Sequence, residues 1–170
     1  ISHPHFDHIG FLPWLYKMGF RGPTYMTEPT RDIGALICLD SIGVSQKEND
    51  KVLYGSKDIK EMVKHTVTLN YEEVTDITPD IRITFSNAGH TLGSAITHIH
   101  IGNGLHNLVY CGDYKFLRTQ LLEPAVNKFP RVETLITEST YGGKDNVFPS
   151  RQSCEDAIIQ LVKETKEKGG

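Results

Sequence analysis

Near its start the chain reads Ser2-His3-Pro4-His5-Phe6-Asp7-His8, which places three imidazoles and a carboxylate within six positions, directly ahead of Ile9-Gly10. No other stretch constrains the fold as strongly. Solvent exposure alone seldom explains such a cluster, and neutral imidazole nitrogen and carboxylate oxygen are the ligands that zinc accepts, at about 2.0–2.2 Å. A loop leaving a strand directs His3 and His5 to one metal while Asp7 and His8, pointing elsewhere, serve a second. The bland alternative is a solvated histidine-rich surface loop, and the downstream sequence weighs against it.

Two later motifs offer ligands of the same kinds. Asn87-Ala88-Gly89-His90-Thr91-Leu92-Gly93-Ser94 sets a histidine among glycines after an apolar alternation at Ile81, Ile83 and Phe85, where the backbone turns sharply and approaches a metal closely. Tyr110-Cys111-Gly112-Asp113 sets a carboxylate at the end of a second apolar run. Each is ambiguous alone, since a single histidine is often a satisfied core residue and Gly-Asp after a strand is usually a turn. With the first cluster they make a specific set, in which His90 completes a three-histidine site and Asp113, with two oxygens, bridges two cations.

The surrounding pattern predicts a layered α/β protein. Short helices are expected over 10–18 and from Thr27-Glu28-Pro29 to about Ile42, the second opened by a threonine cap and a first-turn proline. Ser56 opens another. Strands are expected at 24–26, from Val67 onward through 81–85, 95–101 and 108–111, and at 135–137, the last as a buried strand. Pro149-Ser150 opens a final helix with an apolar stripe of Cys154, Ala157, Ile158, Leu161, Val162 and Thr165. The Gly142-Gly143 to Pro149 break is the best candidate for a domain boundary.

Composition narrows the classes further. Net charge is 18 − 21 = −3 with histidine neutral, so a nucleic-acid function has to rest on the site and not on bulk charge. No apolar run approaches the roughly 20 residues of a membrane-spanning helix, and the expected location is cytoplasmic. Cys38, Cys111 and Cys154 are odd in number and lack CxxC spacing, which predicts reduced, mostly buried thiols. His98 and His100 alternate with Ile99 and Ile101 and are expected on the half-solvated face of a sheet; His65 and His106 fall near element ends.

The whole set resembles the metallo-β-lactamase superfamily, whose HxHxDH motif matches His3, His5, Asp7 and His8 and whose later histidine and bridging aspartate match His90 and Asp113. Thr137-Glu138-Ser139-Thr140-Tyr141-Gly142 resembles the acidic motif with which β-CASP nucleases leave the lactamase core. Leu12-Pro13-Trp14, Gly22-Pro23-Thr24-Tyr25-Met26-Thr27 and the segment from Gly89 to Ala95 resemble archaeal homologues of the cleavage and polyadenylation specificity factor nuclease. The resemblance implies part of a four-layer αββα sandwich truncated at both ends, with residues 1–142 in the lactamase domain and 143–170 beginning the β-CASP domain. It implies metal ligands His3, His5, Asp7, His8, His90 and Asp113, catalytic roles for Asp7, Asp113 and Glu138, and two Zn²⁺, the second lacking a histidine that lies beyond this chain.

The implied activity is hydrolysis of single-stranded RNA, endonucleolytic and often also 5′-to-3′ exonucleolytic, in 3′-end processing, transcription termination or decay, by a homodimer or an RNA-processing complex. The general-acid histidine that Glu138 would orient also lies beyond Gly170, so the segment alone is expected to be inactive. Two rivals stand beside this reading. A thioester or lactam hydrolase could use the same ligands, because the metal site alone does not choose a substrate. A non-catalytic scaffold subunit would be expected to lack ligands that are present here. Lys115, in Tyr114-Lys115-Phe116 beside a turn, is either a phosphate contact or a solvated lysine.

Overall fold

A computed structural model describes residues 1–169. Two compact units divide between Glu138 and Ser139. In the first, the leading residues are extended and run into helices α1 (Phe6–Ile9) and α2 (Leu12–Lys17). One helix over 10–18 was expected. Instead the helical turn begins inside the histidine cluster, so Asp7 and His8 are helical, and a turn at Gly10-Phe11 separates α1 from a second helix with Pro13 in its first turn.

Strand β1 (Thr24–Met26) then leads into α3 (Glu28–Lys47), α4 (Ser56–Lys64) and β2 (Thr66–Thr68), which pairs parallel with β1. The cap of α3 is Thr27, whose Oγ1 accepts from the Thr30 N–H at 3.4 Å. α3 extends five residues past the expected end at Ile42, because no proline or helix-ending glycine interrupts the segment before Glu48.

The larger sheet has the order β3 (Val74–Thr78), β4 (Ile81–Asn87), β5 (Ala95–Ile101), β6 (His106–Tyr110) and β7 (Thr134–Ile136). Strand β3 was not singled out from the sequence; its Val-Thr-Asp-Ile-Thr has few apolar residues to show a pattern. Pairing is antiparallel except between β6 and β7. Since β4 and β6 both run antiparallel to β5, their C-terminal ends open at the same edge of the sheet.

Three buried clusters stack through this unit. Ile9, Tyr16, Met26, Cys38 and Met62 pack under the helices. Leu69, Ile83, Phe85 and Ala95 form a second cluster, against which Tyr25 and Ile99 pack. Ala88, Ile96, Val109, Cys111 and Ala125 form a third, with Phe129 against it. The layering is a mixed α/β arrangement consistent with part of a metallo-β-lactamase fold.

Two expectations need correction. His98 is buried, not half-solvated: its ring packs edge-on to Phe129 at 5.7 Å and lies tilted by 42° against His100 at 4.0 Å. An irregular segment bearing Phe129 covers that face of the sheet, which strand alternation cannot reveal. Strand β7 is not buried, with Leu135 and Ile136 58% and 47% exposed. The cysteines are free and mostly buried, as expected: Cys38 and Cys111 are buried and Cys154 is exposed.

The second unit consists of a coil segment and helix α5 (Arg151–Glu167), capped by Ser150 Oγ accepting from Ser153 N–H at 3.2 Å. Its expected apolar stripe is exposed, with no residue of α5 buried.

Candidate metal centre

The cluster is held from both sides. The Ile1 nitrogen donates to the Tyr25 carbonyl in β1 at 2.9 Å, and the Ser2 carbonyl accepts from Ala95 N–H at the start of β5 at 2.7 Å. His3 therefore enters between β1 and β5, and its side chain is fully buried. Ser2 Oγ lies 3.1 Å from His3 Nδ1. With the hydroxyl oxygen accepting there, the ring proton sits on Nδ1 and the Nε2 lone pair faces the cluster. Gly112 makes room for this contact, since a Cβ at that position would lie 2.7 Å from Ser2 Cβ and Oγ.

His90 arrives on the loop from β4 to β5. The buried Ser94 hydroxyl accepts from the His90 and Thr91 N–H groups, each at 3.1 Å, and Asn87 Oδ1 accepts from Gly89 N–H at 3.0 Å. Gly89 has φ +66°, and a Cβ there would come within 2.6–2.8 Å of the backbone at Lys115, Ala125 and Glu123. Thr27 and Thr30 donate to the Gly93 carbonyl at 2.6 and 3.0 Å, tying the start of α3 to the same loop. Asp113 follows β6, at the sheet edge where β4 also ends.

His3, His5, His90 and Asp113 offer ligand atoms that all lie within 4.8 Å of one another. His5 Nδ1 is 3.0 Å from His3 Nε2 and 3.1 Å from His90 Nε2. Asp113 Oδ2 is 3.6 Å from His3 Nε2 and 3.5 Å from His90 Nε2. Ligands of a tetrahedral zinc with bonds of about 2.0–2.1 Å stand about 3.3 Å apart, so the donor set fits such an ion. A single ring nitrogen has either one proton or one lone pair, so His5 Nδ1 cannot satisfy both neighbouring nitrogens by hydrogen bonding. A shared cation resolves that conflict.

The other carboxylate oxygen, Asp113 Oδ1, faces a different group: it lies 3.5 Å from His8 Nε2, which is itself 3.5 Å from Asp7 Oδ2. Asp7 is well exposed. Burial, with His8, His90 and His5 nearby, holds the His3 pKa down to about 3, so the ring is neutral and available as a ligand throughout the neutral range. Burial also lowers that of His90, opposed by the negative charges of Asp113 and Glu138.

Glu138 does not join the ligand group. Its Oε1 accepts from the Tyr114 N–H at 3.1 Å, holding the backbone immediately after Asp113. Thus His3, His5, His90 and Asp113 converge, His8 and Asp7 form a second group on the far oxygen of Asp113, and Glu138 supports the loop between. Sequence reasoning missed Ser2 and Ser94, which orient His3 and His90. Their only sequence signal is a hydroxyl residue next to one ligand and four positions after the other.

A metallo-beta-lactamase superfamily domain matches residues 1–140. Among curated relatives, each named transcription termination factor FttA, that of Methanosarcina mazei is 54% identical over 170 residues and that of Methanothermobacter thermautotrophicus 52% over 170. The Pyrococcus abyssi relative is 53% identical over 171 residues. All of this chain aligns in each case, and it spans 26–27% of their lengths. On this match to most of its residues, the chain belongs to the metallo-β-lactamase superfamily.

Proposed function

We propose that this chain contributes the metal-binding core of a two-zinc phosphodiesterase of the β-CASP type that cleaves single-stranded RNA, acting where transcripts are ended or processed. The observation that carries this reading is the division of Asp113, with Oδ2 toward His3 and His90 and Oδ1 toward His8. A carboxylate so placed suits a bridge between two cations. Bound zinc would supply Lewis acidity to polarise a phosphoryl oxygen and to activate water at neutral pH.

The protein residues divide the remaining work. His3, His5, His90 and Asp113 hold one position, while Asp7, His8 and Asp113 begin the second. Neutral His3 and His90 bring no positive charge that would compete with the metals. Asp7 and Asp113 offset part of the cationic charge and so keep the centre from binding product phosphate too tightly. Glu138 keeps Tyr114 and therefore Asp113 in register, and its carboxylate is suited to orient a proton-donating histidine contributed from elsewhere in a longer protein. The compact unit ending at Glu138 supports a lactamase-type domain close to 1–142, with 143–170 opening the next.

The relatives' role as termination factors supports RNA over a thioester or lactam as substrate. A direct comparison tests this choice, using a form of the protein as long as its relatives. Single-stranded RNA should be cut and a chromogenic thioester and a lactam should not. Turnover of either small substrate at a rate above that of RNA would overturn the assignment.

A further inference from the structure

A cavity of about 180 Å³ opens beside the metal-binding loop, between Phe6, the second half of α3 and the 51–54 segment. Its volume falls below the roughly 300–1,000 Å³ of sites for drug-sized ligands, so it suits a single flat ring system. One wall is Phe6, the residue between candidate ligands His5 and Asp7, and its side chain is half exposed. The ring is seated against the end of α1 because Gly10 has no side chain: a Cβ there would lie 2.6 Å from two of the ring carbons. An aromatic face so anchored is a stacking platform that costs little conformational freedom to use.

The other walls supply what a heterocycle with polar edges needs. Ile42 and Val52 are apolar, and Ser45 offers a hydroxyl. Buried Tyr54 pairs its hydroxyl with Ser41 Oγ at 3.3 Å, which in turn donates to the Cys38 carbonyl at 2.8 Å. Lys51 is exposed at the rim, where it can meet a phosphate. Glu48 and Asp50 stand close to it in sequence, so the local charge is nearly balanced and recognition rests on the ring and hydroxyls more than on charge.

We propose that this cavity receives one nucleobase of a single-stranded RNA, adjacent to the phosphate held at the metal centre. The inference rests on the phosphodiesterase reading for its choice of polymer. Phe6 would stack on the base, Ser45 would meet its polar edge, and Lys51 would meet a neighbouring phosphate. Phe6 follows His5 and precedes Asp7, so the backbone that carries this wall of the cavity also carries candidate ligands.

Calorimetric titration of the zinc-loaded chain with adenosine monophosphate and with ribose 5-phosphate isolates the base, since both probes carry the same phosphate. The monophosphate should bind at least tenfold more tightly. Ser45→Trp, which fills the cavity from α3 without touching a ligand, should abolish that difference at unchanged zinc content, and Phe6→Ala should do the same. Equal binding of the two probes, or an unaltered preference in a Ser45→Trp chain that retains zinc, would overturn the subsite. Base-dependent binding without any RNA cleavage by the longer protein would keep the pocket and sink the hydrolase reading. Cleavage with equal probe binding would do the reverse.

Discussion

The buried Ser2 hydroxyl, 3.1 Å from His3 Nδ1, can accept a hydrogen bond from the ring proton there and so leave Nε2 free to face the cluster as a ligand. Partners of this kind fix ligand tautomers, and their loss typically lowers metal affinity by roughly 10- to 100-fold. Ser2→Ala should therefore weaken zinc binding by about that factor in a competition titration, and unchanged affinity would show that the ring needs no such support. Glu138 calls for a different substitution. Its contact with Tyr114 N–H needs only an acceptor oxygen, which glutamine keeps, whereas orienting an imidazolium needs the charge. Glu138→Gln should leave zinc content unchanged and lower turnover by roughly ten- to a thousandfold in the longer protein. If zinc were lost with it, Glu138 would belong among the ligands.

At the scale of elements, the site depends on how strands end. The β4–β5 loop reverses through Gly89 at φ +66°, packed against three backbone atoms, of Lys115, Glu123 and Ala125, that cannot yield as a flexible side chain would. Gly89→Ala combines a left-handed strain with overpacking, each on the order of 1–3 kcal/mol. It should lower the unfolding free energy by about 2–4 kcal/mol and displace His90, and a denaturant midpoint equal to that of the parent chain would contradict this. Much of this element was legible beforehand, because a histidine among glycines after an alternating apolar run announces a sharp turn near a ligand. Less was legible where a pattern depends on what covers it. The alternation of His98 and His100 marks one face of β5 but says nothing of Phe129, which arrives from an irregular segment to bury His98. The exposed faces of β7 and α5 show the same limit: apolar spacing indicates a face suited to burial, and only packing decides whether something lies on it.

The whole molecule brings together residues as far apart in sequence as His3 and Asp113 by giving β4 and β6 the same direction on either side of β5. That convergence was foreseen as chemistry and not as topology; the ligand types identified the residues, while the sheet order explains why they meet. The supports at Ser2 and Ser94 were invisible because hydroxyl residues in loops are common and become informative only when a ring nitrogen or backbone N–H is seen against them. Cleavage of a labelled single-stranded RNA, by a form of the protein as long as its relatives, tests the account most directly when zinc is removed and restored and when Asp113 and Lys115 are replaced in turn. The account predicts that cleavage disappears with the metal and returns with it, that Asp113→Ala abolishes it, and that Lys115→Ala lowers it by no more than about tenfold. Full cleavage after exhaustive removal of metal, or equal losses in the two variants, would contradict the assignment of Asp113 as the centre's bridge.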